Sequence, residues 1–279
     1  MRAVHRARVA TRRLRELLPV LQLDHDVASK LGRRLRKVTV RLGSIRELDV
    51  LMLGIDELRE TGRHSDRALT LVADAVSRER SRVRQRALAK LPVGEMRRIA
   101  RKLERIANEL EQFDEADASA SHGASRGWRW AIEARLAKRA KALRSAMDDA
   151  GAVYLPERLH AVRIALKKLR YALEFSVEMA GARSTPELQL LKRAQALLGR
   201  MHDLQVFVGR VRQVQASLPQ PDLSLWRDLD ALVAAVENSC RRLHARYVRE
   251  RAALDAICDR VVPKRPAAPR RASPRQAAI

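Results

Sequence analysis

The chain has 279 residues, 46% of them apolar, which is enough to bury the core of one large domain or two ordinary ones. Lysine and arginine outnumber aspartate and glutamate by 57 to 33, a formal charge of +24, so electrostatics call for a polyanionic partner: nucleic acid, polyphosphate or an anionic membrane surface. Aromatic residues are only 3% of the chain, which argues against single-strand binding by base stacking, and no apolar span or secretory h-region points to membrane insertion or export.

In chain order, the spacing predicts a first helix over 2–22. At about 100° per residue it carries His5, Arg8, Arg12 and Arg15 on one face and Ala7, Ala10, Leu14, Leu17, Leu18 and Leu21 on the other. A second helix over 26–42 repeats the design, with Arg33, Lys37 and Arg41 in a stripe opposite Leu31, Leu35, Val38 and Leu42. The two stripes are expected to form one groove of cations, in which Arg8 and Arg15 stand about 10 Å apart along their axis.

The segment Leu42-Gly43-Ser44-Ile45-Arg46-Glu47-Leu48-Asp49-Val50 follows. Gly43 is expected to stop one helix with a positive φ, and Glu47 and Asp49 to open the next and pair with arginines of the first helix. Helices are then predicted over 44–61, 65–90 and 94–116, followed by a Ser/Ala/Gly-rich linker near Asp117 to Gly127.

Beyond the linker, helices are predicted over 128–150, 156–180, 186–199, 201–217 and 223–261. The head of the 156–180 helix repeats the first: His160, Arg163, Lys167 and Arg170 face away from Val162, Ala165, Leu169, Ala172 and Leu173. Lys192 is the thinner counterpart of the second basic stripe, and Leu198 to Val206 repeats the Leu42 to Val50 segment. Cys240 and Cys258 fall in one helix about 27 Å apart, too far to bridge, which suits a reduced, cytoplasmic protein. Residues 263–279 alternate Pro, Ala and Arg and read as a disordered basic tail.

The expected fold is therefore all-α, with two pseudo-symmetric helical bundles over 1–118 and 128–262, joined by a linker over 119–127. A helix precedes the His160 segment but none precedes His5, so the first bundle is expected to lack its N-terminal helix. That would expose the Leu14, Leu17, Leu18 and Leu21 stripe unless the start lies further upstream, the 94–116 helix covers it, or two chains pair.

The doubled pairing of His-x-x-Arg-[Val/Ile]-x-x-[Arg/Lys]-[Arg/Lys]-Leu-Arg with Leu-Gly-x-x-[Arg/His]-[Glu/Asp]-Leu-x-Val resembles the CHAD family, the conserved histidine α-helical domains, over about 2–260. The resemblance implies two related bundles that bind inorganic polyphosphate through basic residues between them. Carried over by position, it points to His5, Arg8, Arg12, Arg15, Arg33, Lys37, Arg41 and Arg46. In the second half it points to His160, Arg163, Lys167, Arg170 and Lys192. The two copies differ at Thr11, matched by Leu166, and at Asp49, matched by Gln205.

Neither histidine reads as a metal ligand, because each sits among arginines that repel a cation; hydrogen bonding to phosphate or to a neighbouring helix suits them better. No P-loop is present, and Glu109 and Glu111 lack the lysine of a Glu-x-Glu-x-Lys triphosphatase pattern. The expectation is a binding protein without enzyme activity, cofactor or metal, in the cytoplasm or on polyphosphate granules. The rival partner is nucleic acid, although no helix-turn-helix or zinc module is recognisable.

Overall fold

The computed structural model describes residues 2–21, 23–89, 93–116, 124–182, 184–218 and 222–261. These contain nine α-helices and no strand: α1 (Arg2–Leu17), α2 (His25–Arg41), α3 (Gly43–Glu60), α4 (Asp66–Ala89), α5 (Val93–Ala116), α6 (Ala124–Ala150), α7 (Pro156–Met179), α8 (Pro186–Ala216) and α9 (Leu223–Val261). The expected tail and residues 117–123 of the expected linker lie outside the described residues, and 124–127 already belong to α6. No described helix is long and apolar enough to cross a membrane.

Local chemistry sets most of the helix ends. The Asp24 carboxylate caps α2 by accepting from the Asp26 and Val27 amides, and the Thr185 hydroxyl caps α8 by accepting from Leu188. Pro156 and Pro186 occupy first turns, where a missing N–H costs nothing. Gly62, Gly151 and Gly181, with φ of 63°, 61° and 69°, close α3, α6 and α7.

Gly43 and Gly199 do not play the stopping role expected of them, since neither takes a positive φ. Gly199 lies inside α8, so the two helices expected over 186–199 and 201–217 are one. Packing holds that helix together: Leu191 and Leu198 on one side of the glycine and Leu204 and Val211 on the other are buried in two different cores. Gly43 instead opens α3 after the single turn residue Leu42, and its missing side chain makes room for Arg8. A Cβ at Gly43 would lie 2.8 Å from Arg8 Nη1.

Three apolar clusters organise the molecule. One joins α6, α7, the first half of α8 and the second half of α9, around Leu143, Met147, Leu166, Leu169 and Leu254. Another joins α3 and α4 to the remaining halves of α8 and α9, around Ile55, Leu69, Val72, Val211 and Leu229. Packing thus crosses the boundary between the 1–118 and 128–262 segments, because the long α8 and α9 each serve both cores. A third, smaller cluster packs Leu18 of the α1 end with Leu31, Leu35, Val38 and Leu42 and with Ile99 and Ile106 of α5. The 94–116 helix therefore packs with Leu14 and Leu18 of that stripe, while Leu17 lies beside Ile132 of α6 and Ala172 and Phe175 of α7; Leu18 is buried, and Leu14, Leu17 and Leu21 are half-buried.

A buried carboxylate ties α1 to the second half. Glu16 accepts from Arg135 at 2.8 Å and from Arg139 at 2.8 and 2.9 Å, both on α6, while Arg13 pairs with Glu178 of α7. A buried multidentate contact of this kind fixes position more than it adds net stability, since desolvation offsets much of the attraction.

A pair of glycine substitutions separates the two glycine roles. A Cβ at Gly199 meets nothing within 4 Å, so Gly199→Ala should add about 1 kcal/mol of helix stability and raise Tm by about 2 °C. Gly43→Ala should gain less, because its Cβ would displace the Arg8 guanidinium tip and because α3 only begins at Gly43. Thermal melts of the two variants beside the parent check this; equal gains would mean that the Arg8 tip moves aside without cost.

Candidate anion-binding cavity

The basic face of α1 meets the basic face of α7, and α3 and α8 close the space beside them. The result is a cavity of about 370 Å³. From α1 it is lined by Arg8 and Arg12, from α3 by Gly43, Arg46 and Glu47, from α7 by His160, Arg163 and Lys167, and from α8 by His202 and Asp203. Most of these residues are repeat partners: Arg8 with Arg163, Arg12 with Lys167, Arg46 with His202, Glu47 with Asp203. Val50 and Val206, also paired, complete the wall together with Val9 and Leu51. The cavity lies where the two copies face each other.

Five cationic side chains confront two carboxylates there, and burial intensifies the imbalance. Burial, then Arg12 and Arg46, lower the proton affinity of Arg8; burial likewise lowers that of Arg163. The Lys167 amine is pushed down to about 7, first by burial and then by Arg163 and Arg12. Burial pushes the Asp203 carboxyl up, against the opposing pull of Arg163 and Lys167. Arg8 Nη1 and Arg163 Nε are buried without a hydrogen-bond acceptor in the protein. An orphaned buried donor costs about 1–3 kcal/mol, which an arriving anion would return.

His160 and His202 stand at the edge of this cavity with their Nδ1 atoms 3.3 Å apart and ring centroids 4.6 Å apart. That contact needs one ring to donate and the other to accept, so both cannot be cations. Burial followed by the neighbouring charges accordingly lowers both, His202 to about 4. The pair also borders a second, less polar cavity of about 710 Å³ that reaches Tyr154, Gln205 and Cys240.

Of the expected site residues, Arg8, Arg12, Arg46, His160, Arg163 and Lys167 line the cavity together. The His5 side chain lies outside the described residues. Arg33, Lys37, Arg41 and Lys192 are exposed and absent from its wall; Arg33 donates to Ser29 at 2.8 Å and Arg41 faces Glu95 at 3.8 Å. The expected α1–α2 groove does not form, because the Thr39 face of α2 is the one that meets α1. Thr39 donates to the Thr11 hydroxyl at 2.9 Å in the buried interface, and Lys37, two residues back, is turned some 200° away. Arg15 and Arg170 sit one turn beyond the point where α1 and α7 converge. Arg170 is engaged there by Gln195 at 2.7 Å, by Glu174 and by the Tyr171 ring.

Asp49 does not orient an arginine of α1. It is buried against Arg80 of α4, 2.7 Å away. His202 and Asp203 are the wall residues that the stripe pattern alone misses; they hold the same register as Arg46 and Glu47, and aligning the second motif with the first is the signal that finds them. Among the described residues, no group of three or more His, Cys, Asp or Glu side chains is placed to hold a metal ion.

A family model described as CHAD domain matches residues 1–212, which takes in all four helices of the cavity and stops within α8. No curated protein and no solved structure matches the chain.

The depressed Lys167 amine makes apo stability depend on pH with a definite sign. Between about 7 in the folded protein and roughly 10.4 in the unfolded chain, the unfolded state binds one proton more, so stability rises as pH rises through this window. The Cys240 and Cys258 thiols, pushed up by burial, oppose that rise at higher pH, so the useful interval is pH 7.0 to 8.5. Urea unfolding over that interval should show a gain of roughly 1 kcal/mol, allowing for solvent screening of a half-buried amine. In Lys167→Met most of the gain should disappear, leaving the smaller rise from Lys168, whose amine burial also lowers; an unchanged pH profile would show that the Lys167 amine stays protonated throughout.

Proposed function

The chain belongs to the CHAD domain family, and from that premise we propose that it binds inorganic polyphosphate, without turning it over, in the cavity between α1, α3, α7 and α8. The supporting observation is the convergence of Arg8, Arg12, Arg46, Arg163 and Lys167 on one concave space, with two buried N–H groups that lack acceptors. Phosphate oxygens supply such acceptors, and guanidinium forks engage them bidentately. A flexible chain of phosphates can bend to meet several cations in turn, whereas a stiff duplex meets a cavity of about 370 Å³ only at its rim. Exposed cations such as Arg33, Lys37 and Lys192 add long-range attraction, not a defined site. Attachment to polyphosphate granules is the expected cellular consequence.

Titrating polyphosphate against duplex DNA at physiological salt tests this reading. Polyphosphate should win at equal phosphate concentration, with an affinity that falls steeply as salt rises. Arg12→Gln with Arg46→Gln should weaken polyphosphate binding at least tenfold, since contacts to charged groups contribute about 1.5–3 kcal/mol each. Arg33→Gln with Lys37→Gln on the outer face should cost less than about threefold. Equal losses from the two double variants, or effective competition by DNA, would move binding to the outer faces and favour nucleic acid.

The absence of turnover is tested separately. Purified protein incubated with polyphosphate or nucleoside triphosphates and Mg²⁺ or Mn²⁺ should release no phosphate above a blank. Release proportional to protein and abolished by Lys167→Met would make the cavity an active site.

A further inference from the structure

Lys167 differs from the other described lysines. Lys30, Lys37, Lys138, Lys141 and Lys192 are exposed, and Lys102 and Lys168 are half-buried outside the cavity wall, although burial lowers the Lys168 amine too; Lys167 faces the cavity and has no hydrogen bond or ion pair among the described residues. The groups around it are His160 and Arg163 on its own helix, Arg8 and Arg12 of α1, Arg46 and Glu47 of α3, and His202 and Asp203 of α8. Its amine, held near 7, is largely in the neutral, nucleophilic form at pH 7.4. An ordinary lysine is neutral in only roughly one molecule in a thousand there.

The arginines that suppress this proton also present donors to a phosphoryl group, two of them buried and unpartnered. We infer that Lys167 is a self-acylation site for acyl phosphates, small molecules in which a carboxyl carbon is joined to phosphate as a mixed anhydride, and that its acylation closes the cavity to polyanions. The inference rests on the reading that this cavity takes phosphate. With the phosphate among the guanidiniums, the Nζ lone pair attacks the carbonyl carbon and an amide bond forms. The bond from that carbon to the phosphate oxygen breaks, its electron pair leaves with inorganic phosphate, and the proton of the attacking nitrogen passes to solvent. No oxidant or reductant takes part.

Charge balance favours a small acyl phosphate over a long chain as the reacting partner. Four guanidiniums against Glu47 and Asp203 leave two positive charges, which one phosphate dianion neutralises without forcing a proton onto Lys167. A longer polyphosphate overshoots that balance and holds Lys167 as an ammonium, so it protects the amine by protonation as well as by occupancy. The amide product has lost its charge and occupies space that the chain would need.

The experiment uses the full chain with acetyl phosphate at pH 7.4, reading acetylation of each lysine over time by peptide mass spectrometry. Lys167 should react at least about tenfold faster than Lys30, Lys37 and Lys192, the gain in neutral fraction being partly offset by weaker intrinsic nucleophilicity. Tripolyphosphate should slow Lys167 alone, and the acetylated protein should bind polyphosphate at least tenfold more weakly. A parallel reaction with N-hydroxysuccinimidyl acetate reports the amine without a phosphate, and a polyphosphate titration runs on the same sample. If polyphosphate binds but neither reagent favours Lys167, the inference fails and the binding reading stands. If the ester labels Lys167 selectively, acetyl phosphate does not, and polyphosphate fails to bind, both fall together.

Discussion

Mutual repulsion among the Arg8, Arg12, Arg46 and Arg163 guanidiniums, confined around one cavity where burial and then neighbouring charge push the Lys167 proton off, is the constraint on which the rest of the structure depends. Like charges taken out of water repel more strongly than at the surface, and only Glu47 and Asp203 stand among them as counter-charges. Such an arrangement persists only if other packing outweighs it. Two large apolar clusters share α8 and α9, so the α3, α7 and α8 walls cannot separate without opening a core. Glu16, clasped by Arg135 and Arg139, fixes α1 against α6, while Arg13 and Glu178 fix it against α7. An anion that enters relieves the repulsion and thereby stabilises the folded state through linkage.

The doubled sequence motif places paired residues in the wall, and the positions at which the two motifs differ leave the pairing incomplete. Where the second copy has Leu166 in a core, the first has Thr11, which accepts from Thr39 across the α1–α2 interface. Where the second has Gln205, its amide donating to the Tyr154 hydroxyl, the first has Asp49 bound to Arg80. Each unmatched position serves a neighbour that only its own half possesses. The same holds for the two glycines: Gly43 gives space to a guanidinium, and Gly199 lies in an unbroken helix where a Cβ would meet nothing within 4 Å.

Histidine enters this site as a neutral wall and not as another cation. Two imidazoles with Nδ1 atoms 3.3 Å apart beside Arg163 and Lys167 cannot both be cations, and burial lowers both further. The positive charge of the cavity comes from arginine, which cannot lose it, and from one lysine, which can. That division leaves Lys167 as the group whose charge responds to pH, to ligand and to modification.

Helical periodicity, capping residues and the doubled motif were enough to determine the all-α class, most helix ends, the family and six of the residues that line the cavity. These properties follow from spacing along one helix, which sequence records directly: Arg8 and Arg12, or Arg163 and Lys167, share a face whatever surrounds them. Which faces meet was decided by tertiary packing. Thr39 turned toward α1 sends Lys37 to solvent, the convergence of α1 and α7 reaches Arg12 but not Arg15, and α5 packs with Leu14 and Leu18 while Leu17 meets α6 and α7. Asp49 found Arg80 and Gly199 stayed helical for the same reason. A side chain's partner across space depends on how whole helices cross, and the crossing is set by the sum of many buried contacts, no one of which is written in the local spacing.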